Sequence, residues 1–179
     1  MGGVAKGLLR SPSGASIVEH LVSQCHAALP NAPVVLVGDA AAYASLGLRA
    51  LADAPSGIGP LGGLRALLLD AEHAGDAAVL ALACDMPFIG SRLLTRLAVE
   101  CPEALALAPR SEELWQPLCA RYSLAALDAV GAALDAGERS LQRVFARLDS
   151  RASALALDAA EQRELRDWDE PSDLLRDRE

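Results

Sequence analysis

Ala77-Ala78-Val79-Leu80-Ala81-Leu82-Ala83, followed at once by Cys84-Asp85-Met86-Pro87-Phe88, is the stretch that decides the fold. The apolar run is too short to cross a membrane and too continuous for a half-exposed strand, so it reads as a strand buried on both faces. Pro87 has no N–H to give to a ladder and stops the strand. A carboxylate therefore stands at the strand's carboxyl end. In an open parallel sheet that is where ligands collect, and where an acid can hold a hard cation such as Mg2+ against substrate phosphates. Asp85 is the first candidate for a site residue. An aspartate in this place is also the residue type that caps a helix or closes a turn.

Outward from this strand the same grammar repeats. Val34-Val35-Leu36-Val37 is a short apolar strand ended by Gly38-Asp39, and a weaker strand over 48–51 runs into Ala52-Asp53. The spacing predicts helices over 16–29, 64–73, 91–99 with Ser91 as N-cap, 124–134, and from Ser140 through Leu148. Residues 105–108 form a strand broken by Pro109, 110–115 a charged loop, and 116–122 a strand that Pro117 places at an edge or gives an irregular start. A last short strand falls over 155–157, and Pro171-Ser172 starts a polar helix over 172–177. Strands alternating with helices define a single α/β domain over 1–179, with a mainly parallel sheet and right-handed crossovers.

Composition narrows the function. A chain of 179 residues suits one domain with a full core. Its net charge of −8 argues against general binding to nucleic acid or a membrane surface. An anionic ligand must then be held by a few local cations, backbone N–H groups or a metal. Cys25, Cys84, Cys101 and Cys119 form no C-x-x-C pair and read as buried, reduced thiols. With no apolar leader and no spanning run, a cytoplasmic location is expected. His20, His26 and His73 lack ligand-like spacing, and neither a nucleophile elbow nor a Walker A loop is present.

The other candidates lie in loops. Met1-Gly2-Gly3-Val4-Ala5-Lys6-Gly7 is a flexible opening with one cation, the kind of segment that wraps phosphate oxygens with N–H groups. Gly59-Pro60-Leu61-Gly62-Gly63 leads into a helix, where small residues let a ligand approach the backbone; an ordinary loop-to-helix turn looks the same. Asp53 precedes that loop, and loop aspartates are usually solvated. Asp169 is a second acid, available to share a metal or to sit in a surface turn.

Taken in order, Met1-Gly2-Gly3-Val4-Ala5-Lys6-Gly7-Leu8-Leu9, Gly59-Pro60-Leu61-Gly62-Gly63-Leu64, Cys84-Asp85-Met86-Pro87-Phe88, Gln116-Pro117-Leu118 and Gly137-Glu138-Arg139-Ser140 resemble the molybdenum cofactor guanylyltransferase (MobA) family over nearly the whole chain. The resemblance implies a three-layer, Rossmann-like nucleotidyltransferase fold. It also implies transfer of GMP from GTP to molybdopterin with release of pyrophosphate; the alternatives are cytidylyl transfer to the same cofactor, or a non-catalytic protein that keeps the fold. By the same resemblance Asp85 holds Mg2+, and Lys6 meets the nucleotide phosphates at the end of a loop containing Gly2 and Gly3. Asp53 serves nucleotide binding, and Gly59 and Gly62 line the cleft. Proteins that deliver the cofactor would be partners. Three departures stand out. The family's apolar first strand and most of its glycine-rich loop are missing, which would leave two neighbouring strand edges unpaired. Ala5 stands where the family often has aspartate. Asp167-Trp168-Asp169-Glu170-Pro171 replaces a neutral asparagine motif.

Overall fold

Aliphatic runs fenced by glycine, proline and aspartate fold into short strands, and segments with a 3.6-residue apolar period fold into the helices between them. The computed structural model describes residues 6–11, 14–111 and 114–166. The order is α1 (Ile17–Ala28), β1 (Val35–Val37), β2 (Arg49–Leu51), α2 (Pro60–Ala74), β3 (Ala78–Leu82), α3 (Ser91–Val99), β4 (Ala106–Ser111), β5 (Leu114–Trp115), β6 (Cys119–Ser123), α4 (Leu127–Asp135), α5 (Leu141–Leu148), β7 (Ala152–Leu155) and α6 (Ala159–Glu164). Two 3-10 turns, Lys6–Leu8 and Ala41–Leu46, matter for the site. The helix expected over 172–177 lies outside the described residues, as does Asp169. No helix among the described residues is long and apolar enough to cross a membrane.

The expected mainly parallel sheet is corrected by the pairing. β1 and β2 are parallel, with Val35 opposite Arg49 and Val37 opposite Leu51. The larger sheet runs β3–β6–β4–β5 with β7 beside β4, and it is mixed. β6 lies antiparallel to both β3 and β4, β5 antiparallel to β4, and β7 parallel to β4. Connection length is the reason. Residues 112–118 between β4 and β6 are too few for the crossover of about a dozen residues that a parallel return needs. Of the two readings of Pro117, the irregular start holds and the edge does not: β6 lies between β3 and β4, and Pro117 falls before its first residue, where it removes no ladder donor. Pro109 remains inside β4, beyond the point where the β6 ladder ends at Ala106 and Leu107.

Alternation sends the side chains of the larger sheet to two cores. Ala106, Ala108, Ala120 and Tyr122 pack with Leu61, Leu64 and Leu68 of α2, Val130 of α4 and Phe145 of α5. Leu107, Cys119 and Leu155 pack on the other face with Ile17 and Leu21 of α1 and Leu93, Leu94 and Leu97 of α3. Buried Arg121 crosses this second layer, and its guanidinium donates to the Leu97, Glu100 and Cys101 carbonyls at the end of α3. Cys119 is buried as expected, but Cys25 and Cys101 are half-buried and Cys84 is exposed; all four are free thiols.

β1 and β3 face each other without pairing, and neither facing edge has a strand partner among the described residues. Between them lies a groove of about 770 Å3, walled by Val35, Leu36 and Val37 on one side and residues 78–82 on the other. β3 is therefore half-buried along its length, with only Ala81 fully covered, and not buried on both faces as its composition suggests. Apolarity sets which residues seek a core, whereas the open edge sets how far this strand reaches one.

Helix α6 is docked by charge and not by an apolar stripe. Glu161 is fully buried and accepts from an Arg96 guanidinium nitrogen and from the Asp158 N–H at 3.0 Å. Arg96 also pairs with Glu100 at 2.7 Å and donates to the Ala156 carbonyl at 3.0 Å. Burial alone would raise the Glu161 carboxyl, but the Arg96 guanidinium and the Asp158 N–H together hold it below the usual range. A depressed folded-state pKa stabilises the fold above the ordinary carboxylate value, and that stability is lost as pH falls through the folded value. Glu161→Gln should lower the unfolding free energy at pH 7 by about 2 kcal/mol. Urea unfolding should find that difference shrinking below about pH 4.

Candidate active site

Asp85 is fixed by the residues on its C-terminal side. After β3 the chain turns at Cys84-Asp85, and Met86 and Ile89 then plunge into the core beside Ile17, Leu93 and Leu94. The His20 ring hydrogen-bonds the Ile89 carbonyl through Nε2 at 2.9 Å, so α1 holds the same turn. The aspartate is left half-buried, with its carboxylate toward the groove mouth.

Lys6 arrives from a distant part of the sequence. The Lys6–Leu8 turn closes through the Leu9 N–H on the Lys6 carbonyl at 3.0 Å, and the Ile17 N–H donates to the Leu9 carbonyl at 2.9 Å. Lys6 Nζ comes within 3.5 Å of Asp85 Oδ2. It is the only lysine in the chain; every other basic side chain apart from histidine is an arginine. Gly2 and Gly3 lie outside the described residues.

Asp53 follows β2, and the Ala54 N–H donates to the Gly62 carbonyl at 3.1 Å, folding the loop back on α2. Its Oδ1 would lie only 3.3 Å from a Cβ at Gly63, so that residue leaves it space by being glycine, while at Gly38 a Cβ would stand in ordinary contact at 3.5 Å. Gly59 is the N-cap of α2 at φ +75°, with Pro60 as the first helical residue. The groove is lined at this end by Gly38, Asp53, Gly59, Gly63, Cys84 and Asp85.

The helix therefore begins at Pro60, a turn earlier than its apolar spacing suggests, and this moves one expectation. Gly62 does not line the groove: its α-carbon is pressed on the loop, where a Cβ would meet the Pro55 carbonyl oxygen at 2.5 Å. Gly63, one residue on, faces the groove. A helix rotates about 100° per residue, so the two adjacent glycines face different surroundings. Tyr43 has no signature in the sequence. It is buried, on the turn after β1, and its hydroxyl reaches Cys84 Sγ at 3.9 Å. Burial pushes its phenol above the ordinary value, so it stays neutral.

Chemically, one end of the groove offers a primary ammonium beside a carboxylate, with a second carboxylate against a glycine-rich helix start. Among the described residues no three His, Cys, Asp or Glu side chains gather to hold a metal. Asp85 itself offers a hard carboxylate oxygen. That suits Mg2+, which completes its shell with water and substrate phosphates, and does not suit Zn2+.

Known proteins share the sequence and the fold. The family model described as "MobA-like NTP transferase domain" matches residues 1–153. The chain is 34% identical over 149 residues to a probable molybdenum cofactor guanylyltransferase of Opitutus terrae, covering 82% of this chain and 74% of that protein. It is also 34% identical to the molybdenum cofactor guanylyltransferase of Pseudomonas syringae pv. syringae, over 91% of this chain and 80% of that one. Among solved structures it superposes on molybdopterin-guanine dinucleotide biosynthesis protein A from Archaeoglobus fulgidus with a TM-score of 0.74 at 22% identity, covering 97% of this chain and 89% of that one. The 2-C-methyl-D-erythritol 4-phosphate cytidylyltransferase of Thermus thermophilus shares the fold at a TM-score of 0.69 and 19% identity, over 95% of this chain and 90% of that one.

Two glycine substitutions separate packing from propensity. Gly62→Ala should cost about 1–3 kcal/mol of unfolding free energy, because the new methyl group strikes backbone. Gly131→Ala, in α4 with nothing within 4 Å of the added Cβ, should gain about 0.5–1 kcal/mol. Urea unfolding of both variants checks the sign of each.

Proposed function

The chain belongs to the MobA-like NTP transferase family, and we propose that it transfers GMP from GTP to the terminal phosphate of molybdopterin, releasing pyrophosphate. Support comes from the guanylyltransferase relatives and from one observation above all. A lone lysine is brought to 3.5 Å from an aspartate at the carboxyl end of β3, beside a groove that also contains Asp53 and Gly59.

In this reading a molybdopterin phosphate oxygen attacks the α-phosphorus of GTP. The bond to the bridging oxygen breaks, and pyrophosphate leaves with the electron pair. The attacking oxygen is already anionic, so the chain needs no strong general base. Its task is to bring two polyanions together on a protein of net charge −8. Lys6 meets the nucleotide phosphates and offsets their charge, and Gly2 and Gly3 are assigned to the same phosphates. Asp53, between Gly38 and Gly63, orients the nucleoside, and Gly59 lets the ligand come close to the start of α2. Asp85 would hold Mg2+, which when bound neutralises charge on the phosphates. Proteins that deliver the cofactor are the macromolecular partners, and the whole of 1–179 acts as one domain in the cytoplasm.

CMP transfer to the same cofactor is the alternative, since the fold is shared with a cytidylyltransferase. Pyrophosphate release from molybdopterin, Mg2+ and either GTP or CTP decides between them: release is expected with GTP, and release with CTP alone would overturn the guanylyl assignment. Asp85→Asn should fold normally and lose about a hundredfold in rate. Full activity in that variant would remove Asp85 from the role.

A further inference from the structure

Lys6 and Asp85 are far apart in sequence, and the strands flanking the groove beside them share no ladder. Something must set their separation. The Lys6–Leu8 turn rests on α1 through the Leu9 carbonyl, while Asp85 belongs to the end of β3. Their ion pair is about one-third exposed on the lysine side, and such pairs are weak and mobile unless their backbones are fixed.

Tyr43 touches both segments, at Gly7 and at the Cys84 side chain. Its ring and hydroxyl lie flat against Gly7, where a Cβ would fall 2.8 Å from Oη, 3.0 Å from Cε1 and 2.5 Å from Val18 Cγ2. On its other side the hydroxyl donates to Cys84 Sγ at 3.9 Å. Gly7 is the residue after Lys6, and Cys84 is the residue before Asp85. Tyr43 itself is carried on the turn after β1, so a single rigid phenol spans from the β1 side of the groove to the end of β3. A residue serving only to fill space there would not need a hydroxyl, and one set between the Gly7 backbone and the Cys84 thiol is justified by the contacts it makes.

We infer that Tyr43 is a positioning residue for the nucleotide site, its hydroxyl holding Gly7 and Cys84 so that the Lys6 ammonium faces the Asp85 carboxylate. The role in turnover rests on the transferase reading; the clamp itself does not. Only glycine fits at position 7 beneath the ring, and Phe at position 43 would keep the packing while removing the clamp.

The test uses the full chain as wild type, Tyr43→Phe, Lys6→Met and the double variant, with the unfolding midpoint of each measured first. Pyrophosphate release gives one readout. Tyr43→Phe should lower kcat/KM about fivefold when Lys6 is present and less than twofold in the Lys6→Met background. Equal losses in the two backgrounds, or no loss, would overturn the inference. The second readout needs no activity. Because Lys6 is the sole lysine, its acetylation by a water-soluble succinimidyl ester can be followed by mass spectrometry, separately from the N-terminus. The rate should rise at least threefold in Tyr43→Phe, and an unchanged rate would overturn the clamp. If wild type releases no pyrophosphate, the transferase reading fails and the acetylation rate alone decides. If Tyr43→Phe does not fold, Cys84→Ala removes the other end of the contact and must accelerate acetylation in the same way; an unchanged rate there has the same overturning force.

Discussion

Helix α2 joins two sheets that share no strand pairing among the described residues. It packs against β1, β2 and β3 together, with Leu64 and Leu68 in the core of the larger sheet and Asp70 in a bidentate pair with Arg49 of β2. The ends of these strands carry Gly38, Asp53 and Asp85, so the relative placement of all three depends on how one helix sits. Its first turn carries Gly59 and Gly63 into the same space. Close approach to its backbone is open at Gly59 and Gly63, which carry no side chain, beside the Pro60 ring that also lines the groove.

Electrostatics follow the same economy. The chain is acidic overall, and many of its arginines are committed to structure: Arg96 and Arg92 to α6, Arg121 to the end of α3, Arg49 to α2 and Arg147 to Glu138. The one lysine is at the groove. A compact ammonium on a flexible stem suits a phosphate that moves during reaction, where a guanidinium would lock a planar, bidentate partner. Pairing with Asp85 at 3.5 Å keeps that ammonium at the mouth without enclosing it.

Chemistry attached to strand ends is legible in the sequence. Asp85 can be read from its apolar run, and Lys6, Asp53 and Gly59 from the order of motifs; the structure brings Lys6 to Asp85 and sets Asp53 and Gly59 along the same groove. Strand direction is not legible, because it is decided by the length of the connection through 112–118 and not by the composition of β6. The resemblance names Gly62, whereas Gly63 is the glycine that lines the groove, and which of two neighbours faces it depends on how α2 packs on the loop at Pro55. Helix α6 is invisible to periodicity, since Glu161 buries a charge where an apolar residue is the expected signal. Tyr43 carries no motif at all, and its place depends on Gly7 and Cys84 meeting in space.

The most direct measurement is a crystal structure of the full chain with GTP and Mg2+ present. The triphosphate should lie at the mouth of the groove, with Lys6 drawn to a phosphate oxygen, Mg2+ between Asp85 and the phosphates, and guanosine toward Asp53 and Gly59. Nucleotide bound elsewhere, with Lys6 and Asp85 still paired at 3.5 Å, would contradict the assignment.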